Sequence, residues 1–150
     1  MGDARHGKGV YRFTSGDVYE GDFFEDNRHG FGKFKFYNGS VYEGDFCMGS
    51  FEGFGKYTFD GGYYEGDWKR DEYYGQGRLQ YKDGSNYQGR FKRGSAHGYG
   101  EERLADGSVR SGLWRRGEFI QECTEAECIK LEKRGIKTKN PRFIGKSVNL

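Results

Sequence analysis

From residue 19 to residue 114 apolar and polar side chains alternate with period two, in short runs broken by glycine-bearing turns. Gly30-Phe31-Gly32-Lys33-Phe34-Lys35-Phe36 is one such run, and Tyr42-Glu43-Gly44-Asp45-Phe46 is the next. Two alternating runs separated by a turn signal predict a β-hairpin. The turn signals are Thr14-Ser15-Gly16, Tyr37-Asn38-Gly39, Asp60-Gly61, Lys82-Asp83-Gly84 and Ala105-Asp106-Gly107. The second run recurs as Tyr19-Glu20-Gly21-Asp22-Phe23, Tyr64-Glu65-Gly66-Asp67-Trp68, Tyr87-Gln88-Gly89-Arg90-Phe91 and an eroded Arg110-Ser111-Gly112-Leu113-Trp114. The tyrosines step by 23, 22 and 23 residues. A period of this length marks an array of one supersecondary unit, each unit contacting mainly its neighbours. The fold expected is an all-β antiparallel meander of about five hairpins.

Parity fixes the register. Phe34 shares a face with Tyr42 only if the loop between Phe36 and Ser40 holds an odd number of residues, and a three-residue loop ending in a left-handed Gly39 does this. The third repeat is one residue shorter, and its loop shrinks to Asp60-Gly61, which keeps Tyr57 opposite Tyr64. In this register one face pairs Tyr11–Tyr19, Phe34–Tyr42, Tyr57–Tyr64 and Leu79–Tyr87, with Gly32–Gly44 and Gly55–Gly66 beside them. Next along, Phe23, Phe46, Trp68, Phe91 and Trp114 each face a glycine (Gly7, Gly30, Gly53, Gly75, Gly98), an arrangement that protects a weak point in a sheet. The other face is a charge ladder of Lys8–Asp22, Lys33–Glu43 and Lys56–Glu65, shared with Phe24, Phe31 and Phe54. In the last repeat Glu102 opposes Arg110, which reads as a polar terminal cap.

Composition narrows the class. Of 150 residues, 27 are glycine and 18% aromatic, and the mean hydropathy is −1.02; an aliphatic globular core is not expected. No apolar run approaches the ~18–20 residues that span a bilayer, and the N-terminus has no apolar signal region, so a soluble, cytoplasmic protein is expected. Cys47, Cys123 and Cys128 form no disulfide framework, which suits a reducing compartment. Catalytic and metal constellations fail in turn. Gly145-Lys146-Ser147 lacks the first glycine of a phosphate-binding loop, because position 140 is Asn140. His6 and His29 lie two strands apart, too far to share a zinc ion. On one helix Cys123 and Cys128 point about 140° apart. Glu20, Glu43 and Glu65 already have ladder positions. No enzyme, cofactor, metal or nucleic-acid role is expected.

The pattern Tyr-x-Gly-x-Phe/Trp, a turn, then His-Gly-x-Gly at a period near 23 residues resembles the MORN repeat (membrane occupation and recognition nexus). The resemblance covers about residues 6–119. His6, His29 and His97 match the family's histidine, and Glu52 and Tyr74 stand in its place elsewhere, so that column is expected to be structural. What the resemblance implies is an elongated, twisted, single-layer sheet without a conventional core. It further implies a scaffold or adaptor of the kind found in cytoskeletal, ciliary and junctional-membrane assemblies.

The chain is thus expected to comprise a repeat sheet over 6–119, a capping helix within 120–135 and a basic extended tail over 136–150. Thr124-Glu125-Ala126-Glu127 is a capping box, so 125–134 should be helical and should cover the open edge of the sheet. A single sheet leaves its aromatic row without a second layer, and an exposed aromatic strip marks a binding site. The partner-binding groove is therefore expected along Tyr19, Phe23, Phe34, Tyr42, Phe46 and Tyr57. It continues along Tyr64, Trp68, Tyr87, Phe91 and Trp114. A helix or extended segment of a cytoskeletal or axonemal protein fits such a groove, and a homodimer is compatible with it. The alternative is a phosphoinositide or anionic-membrane module working through the tail. Residues 1–109 carry 15 Lys/Arg against 18 Asp/Glu, and 110–150 carry 10 against 5. Only Lys130, Lys133, Arg134, Lys137, Lys139, Arg142 and Lys146 would then reach the lipid.

Overall fold

The computed structural model describes residues 4–134. The expected tail, with Lys137, Lys139, Arg142 and Lys146, lies outside them. The chain divides into two compact units, Met1–Glu72 and Tyr73–Leu150. The first holds β1 (Gly7–Arg12), β2 (Val18–Phe24), β3 (Asn27–Lys35), β4 (Val41–Cys47), β5 (Ser50–Phe59) and β6 (Gly62–Lys69). The second holds β7 (Glu72–Tyr81, its first residue at the boundary), β8 (Asn86–Lys92), β9 (Ser95–Arg103), β10 (Val109–Arg115), β11 (Glu118–Glu122) and α1 (Glu125–Lys133). Each unit is an open antiparallel single-layer meander in which strands follow chain order.

The register is the one parity dictates. Tyr11 opposes Tyr19, Phe34 opposes Tyr42, Tyr57 opposes Tyr64 and Leu79 opposes Tyr87. Every aromatic–glycine pair expected next to them is present as well. Two kinds of turn alternate. Tyr37-Asn38-Gly39 is a three-residue loop with Gly39 at φ 94° and its N–H donating to the Phe36 carbonyl at 3.0 Å. Asp60-Gly61 is a two-residue loop closed by Phe59 opposite Gly62, with neither loop residue at positive φ. The second kind joins each Tyr-x-Gly-x-aromatic strand to the next. Glu25-Asp26, Met48-Gly49, Arg70-Asp71, Arg93-Gly94 and Arg116-Gly117 are all left-handed at both positions, the geometry whose twist matches paired strands.

The histidine column serves these turns. His29 Nδ1 accepts the Met48 N–H at 3.1 Å, His6 Nδ1 accepts that of Glu25 at 3.4 Å, and Glu52 Oε1 accepts that of Arg70 at 3.2 Å. One acceptor per left-handed turn is all the column must supply, which is why a glutamate can replace an imidazole.

Three expectations about the C-terminal part are corrected. Glu102 and Arg110 do pair, but their side chains are only 6% and 13% exposed. The Arg110 guanidinium lies 5.1 Å from the Phe119 ring of β11 and 5.4 Å from Trp114. A further strand buries the pair, so this hairpin is not an outer polar cap. Helix α1, with the full capping box at Thr124, packs chiefly on β9 and β10 rather than along the last strand. Cys123 and Cys128 are joined in a disulfide with their Cα atoms 5.8 Å apart. The helical angle between them does not apply, because Cys123 precedes the N-cap residue.

Candidate functional site

The aromatic row is a packed core, not a bare strip. Tyr19, Tyr42, Tyr64 and Tyr87 expose none of their surface, and Phe23, Phe34, Phe46, Trp68, Phe91 and Trp114 expose 7% or less. Tyr57, of intermediate exposure, is the exception among the expected groove residues. The glycines explain the burial. Where the furrow was expected, a tyrosine from the preceding strand lies flat: a Cβ on Gly32 would overlap the Tyr19 ring, on Gly55 the Tyr42 ring, on Gly100 the Tyr87 ring. Each tyrosine hydroxyl then donates to a backbone carbonyl three residues on. Those bonds are Tyr19 to Asp22 at 2.6 Å, Tyr42 to Asp45 and Tyr64 to Asp67 at 2.7 Å, and Tyr87 to Arg90 at 2.9 Å. In β2, β4 and β8 the bond spans the place where register with the following strand shifts. The phrase Tyr-x-Gly-x-aromatic is therefore a device for bolting a bulge.

A second set of rings, missed in the sequence, completes this layer. Phe13, Phe36, Phe51 and Phe59 are half-buried. Phe51 stacks on Tyr42 with centroids 3.8 Å apart and planes at 6°, and Phe36 lies 4.7 Å from Phe34 and 6.0 Å from Tyr57. The signal was available for all of them but Phe51, since Phe13, Phe36, Phe59 and Tyr81 recur in phase just before four of the five glycine turns. The tryptophans are tied in by their indole N–H groups, Trp68 to the Gly55 carbonyl at 2.9 Å and Trp114 to that of Gly100 at 3.0 Å. Burial raises the phenol pKa of Tyr19 to about 12, and raises those of Tyr42 and Tyr87 as well.

Apart from Tyr11 on the ring face and Tyr37 and Met48 in turns, the exposed large apolar groups of the first unit lie on the ladder face. In the first unit Val10, Phe24, Phe31 and Phe54 are 57%, 46%, 55% and 56% exposed. Between Phe31 and Phe54 lies an open depression of about 480 Å³, lined also by Val41, Glu43, Asp45 and Lys56. The ladder itself is as expected: Lys8 reaches Asp22 at 3.3 Å and Lys33 reaches Glu43 at 3.9 Å. Lys56 opposes Glu65 and its ammonium sits 4.4 Å over the Tyr63 ring. Asp22 and Asp45 also brace the backbone. Each uses one carboxylate oxygen to accept a backbone N–H from the next strand, Phe31 or Phe54, at 3.0 Å. That bond and the Lys8 ammonium hold the Asp22 carboxyl below its usual range.

In the second unit α1 occupies the same face. Glu132 Oε1 lies beside Gly98 and the Arg90 side chain, and burial lowers the pKa of the neighbouring His97. Lys130, Lys133 and Arg134 of the expected lipid set are exposed. No group of three or more His, Cys, Asp or Glu side chains placed to hold a metal ion occurs among the described residues. None of their helices is long and apolar enough to cross a membrane.

A period-23 array of hairpins, four of them bolted by a tyrosine hydroxyl, defines a single-layer β-repeat protein. The sequence profile of the MORN repeat matches residues 1–18, 19–41, 42–62, 64–86 and 87–109, and the chain belongs to the MORN repeat family. This repeat is a non-catalytic module, generally a scaffold that binds proteins or membranes. No curated protein matches the chain.

Proposed function

We propose that the protein is a non-enzymatic scaffold that holds a protein partner on the exposed ladder face of its first unit. The setting proposed for it is a cytoskeletal or axonemal assembly. The observation that carries this reading is the exposure of Phe31 and Phe54 on either side of one depression, on a sheet whose other face is largely filled by its own rings. Large apolar side chains held out on a rigid surface favour contact with another molecule. The tyrosine row acts behind that surface, by fixing the strands that carry it.

The test is proximity labelling in cells with two double variants. Phe31→Ser/Phe54→Ser should lose the labelled partners while its circular dichroism is unchanged. Tyr42→Ser/Tyr64→Ser should lose the β-sheet signal itself. Unchanged labelling by the phenylalanine variant would remove the assignment.

A second reading, contact with an anionic membrane, is favoured by the exposure of Lys130, Lys133 and Arg134 around the end of α1. It involves a different part of the chain and is compatible with the first.

A further inference from the structure

The two units carry the same repeat and treat the same face differently. In the phrase Tyr87-Gln88-Gly89-Arg90-Phe91, Arg90 holds the place taken by Asp45 in Tyr42-Glu43-Gly44-Asp45-Phe46 and by Asp22 one repeat earlier. Gly98 likewise matches Gly53 and Gly30. At Gly98 the seat is filled by a helix: Glu132 Oε1 of α1 is 3.0 Å from where a Cβ would stand, with Arg90 Cδ at 3.2 Å. At Gly53 and Gly30 the corresponding positions are bounded by carboxylates, Asp45 Oδ2 at 2.7 Å and Asp22 Oδ2 at 2.9 Å. In the second unit a carboxylate of α1 thus lies over the glycine, next to the aliphatic stem of an arginine. The first unit presents the opposite charge at the matching positions.

Spacing specifies the rest. Across β2 to β5 this row reads Asp22, Phe31, Asp45, Phe54, one residue per strand. Strands are ~4.8 Å apart, so like residues recur about every 9–10 Å. A helix rises ~1.5 Å per residue. One lying across the strands would meet the phenylalanines at positions i and i+7 and the carboxylates three or four residues out of step. One oxygen of each carboxylate is fixed by a backbone N–H, so the charge is positioned in advance. The other oxygen of Asp22 faces Lys8, whose side chain is 87% exposed, and that of Asp45 has no protein partner among the described residues.

We propose that the ladder face of the first unit seats an amphipathic helix of another protein, with apolar residues at i and i+7 and Lys or Arg between them at i+3 or i+4. This rests on the reading of that face as the contact surface, and it specifies the partner. An α1 helix from a second copy, seated as it is on the second unit, would bring Glu132 to the same carboxylates, the wrong sign.

The experiment uses the full chain and two fluorescent synthetic helices with one leucine stripe, one carrying lysine at the intervening positions and one carrying glutamate. Binding is read by anisotropy at physiological salt. The lysine peptide should bind at least about tenfold more tightly than the glutamate peptide, a preference of the size that charge complementarity confers. Asp45→Asn, which keeps an oxygen to accept the Phe54 N–H, should weaken the lysine peptide several-fold. Phe31→Ser/Phe54→Ser should abolish its binding with the circular dichroism retained. If that double variant weakens both peptides alike and the lysine preference is absent, the surface stands and the helix chemistry falls. If it weakens neither, both fall. A concentration-dependent dimer that the lysine peptide disperses would replace the outside helix with a second copy.

Discussion

At the scale of the residue, Tyr42 and Gly55 form a lock whose halves were assigned different jobs by the sequence. The period placed both on one face, yet it could not say that the ring would lie down on the glycine, because alternation fixes which side a residue takes and not its rotamer. The two halves should fail differently. Tyr42→Phe keeps the ring and removes one hydroxyl bond to the Asp45 carbonyl, so urea unfolding should register a loss of about 1 kcal/mol. Gly55→Ala puts a methyl where the Tyr42 ring already lies, an overpacking that costs about 1–3 kcal/mol or more. A phenylalanine variant weaker than the alanine variant would contradict the lock. Alkali probes the same residue type. The Tyr19 pKa is raised from 10.0 to about 12 in the folded protein, so the native state keeps a proton that the unfolded chain releases. This stabilisation is complete below pH 10 and is lost as pH rises from 10 to 12, with a slope up to about 1.4 kcal/mol per pH unit per tyrosine. Tyr42 and Tyr87 are shifted in the same direction for the same reason, burial. The tyrosinate absorbance of these residues should therefore appear together with loss of the sheet's circular dichroism, not before it.

At the scale of the element, hairpins, loop lengths and the capping box were all legible, because each depends on local parity or a local hydrogen bond. The left-handed turns such as Met48-Gly49 and Arg70-Asp71 were less so: glutamate, methionine and arginine at a first turn position carry no left-handed signal of their own. The turn is imposed by the pairing on either side and supported by the His29 or Glu52 acceptor. The place of α1 was illegible for a similar reason. Its weak apolar side names no strand, and its tether is a bond between Cys123 and Cys128 that helical spacing argued against. Closing so short a loop in the unfolded chain contributes about 2 kcal/mol in the chain-entropy treatment. Reduction, or Cys123→Ser, should therefore lower hydrogen-exchange protection across Glu125–Lys133 while the amides of β8 and β9 keep theirs. Equal loss in helix and strands would mean that the helix is an integral support of the sheet rather than a docked segment.

At the scale of the whole molecule, charge and the unit boundary coincide in a way that a division at residue 110 only partly caught. Residues 1–72 carry 9 Lys/Arg against 14 Asp/Glu, and residues 73–150 carry 16 against 9. The boundary was invisible in the sequence because the repeat runs through it without a break in phase. The two readings of function separate along this line. A protein partner is sought on the acidic part, whose carboxylates are held by backbone N–H groups, and an anionic surface can be approached only by the basic part. Each Lys or Arg near an anionic membrane is worth about 1 kcal/mol, an attraction that fades within a Debye length. Lys130, Lys133 and Arg134 are exposed near the end of α1. Reversing all three to glutamate removes three attractive charges and adds three repulsive ones, leaving the packed Cys128 side of the helix untouched. Sedimentation with phosphatidylserine-containing vesicles should show the native chain bound at low ionic strength and released toward physiological salt, and the triple variant bound more weakly, held only by the remaining Lys137, Lys139, Arg142 and Lys146 of the set. Binding that persists at physiological salt once Lys137, Lys139, Arg142 and Lys146 are reversed as well would place lipid contact on the repeats themselves. The exposed face of Phe31 and Phe54 would then have to be read as a membrane surface instead of a seat for a helix.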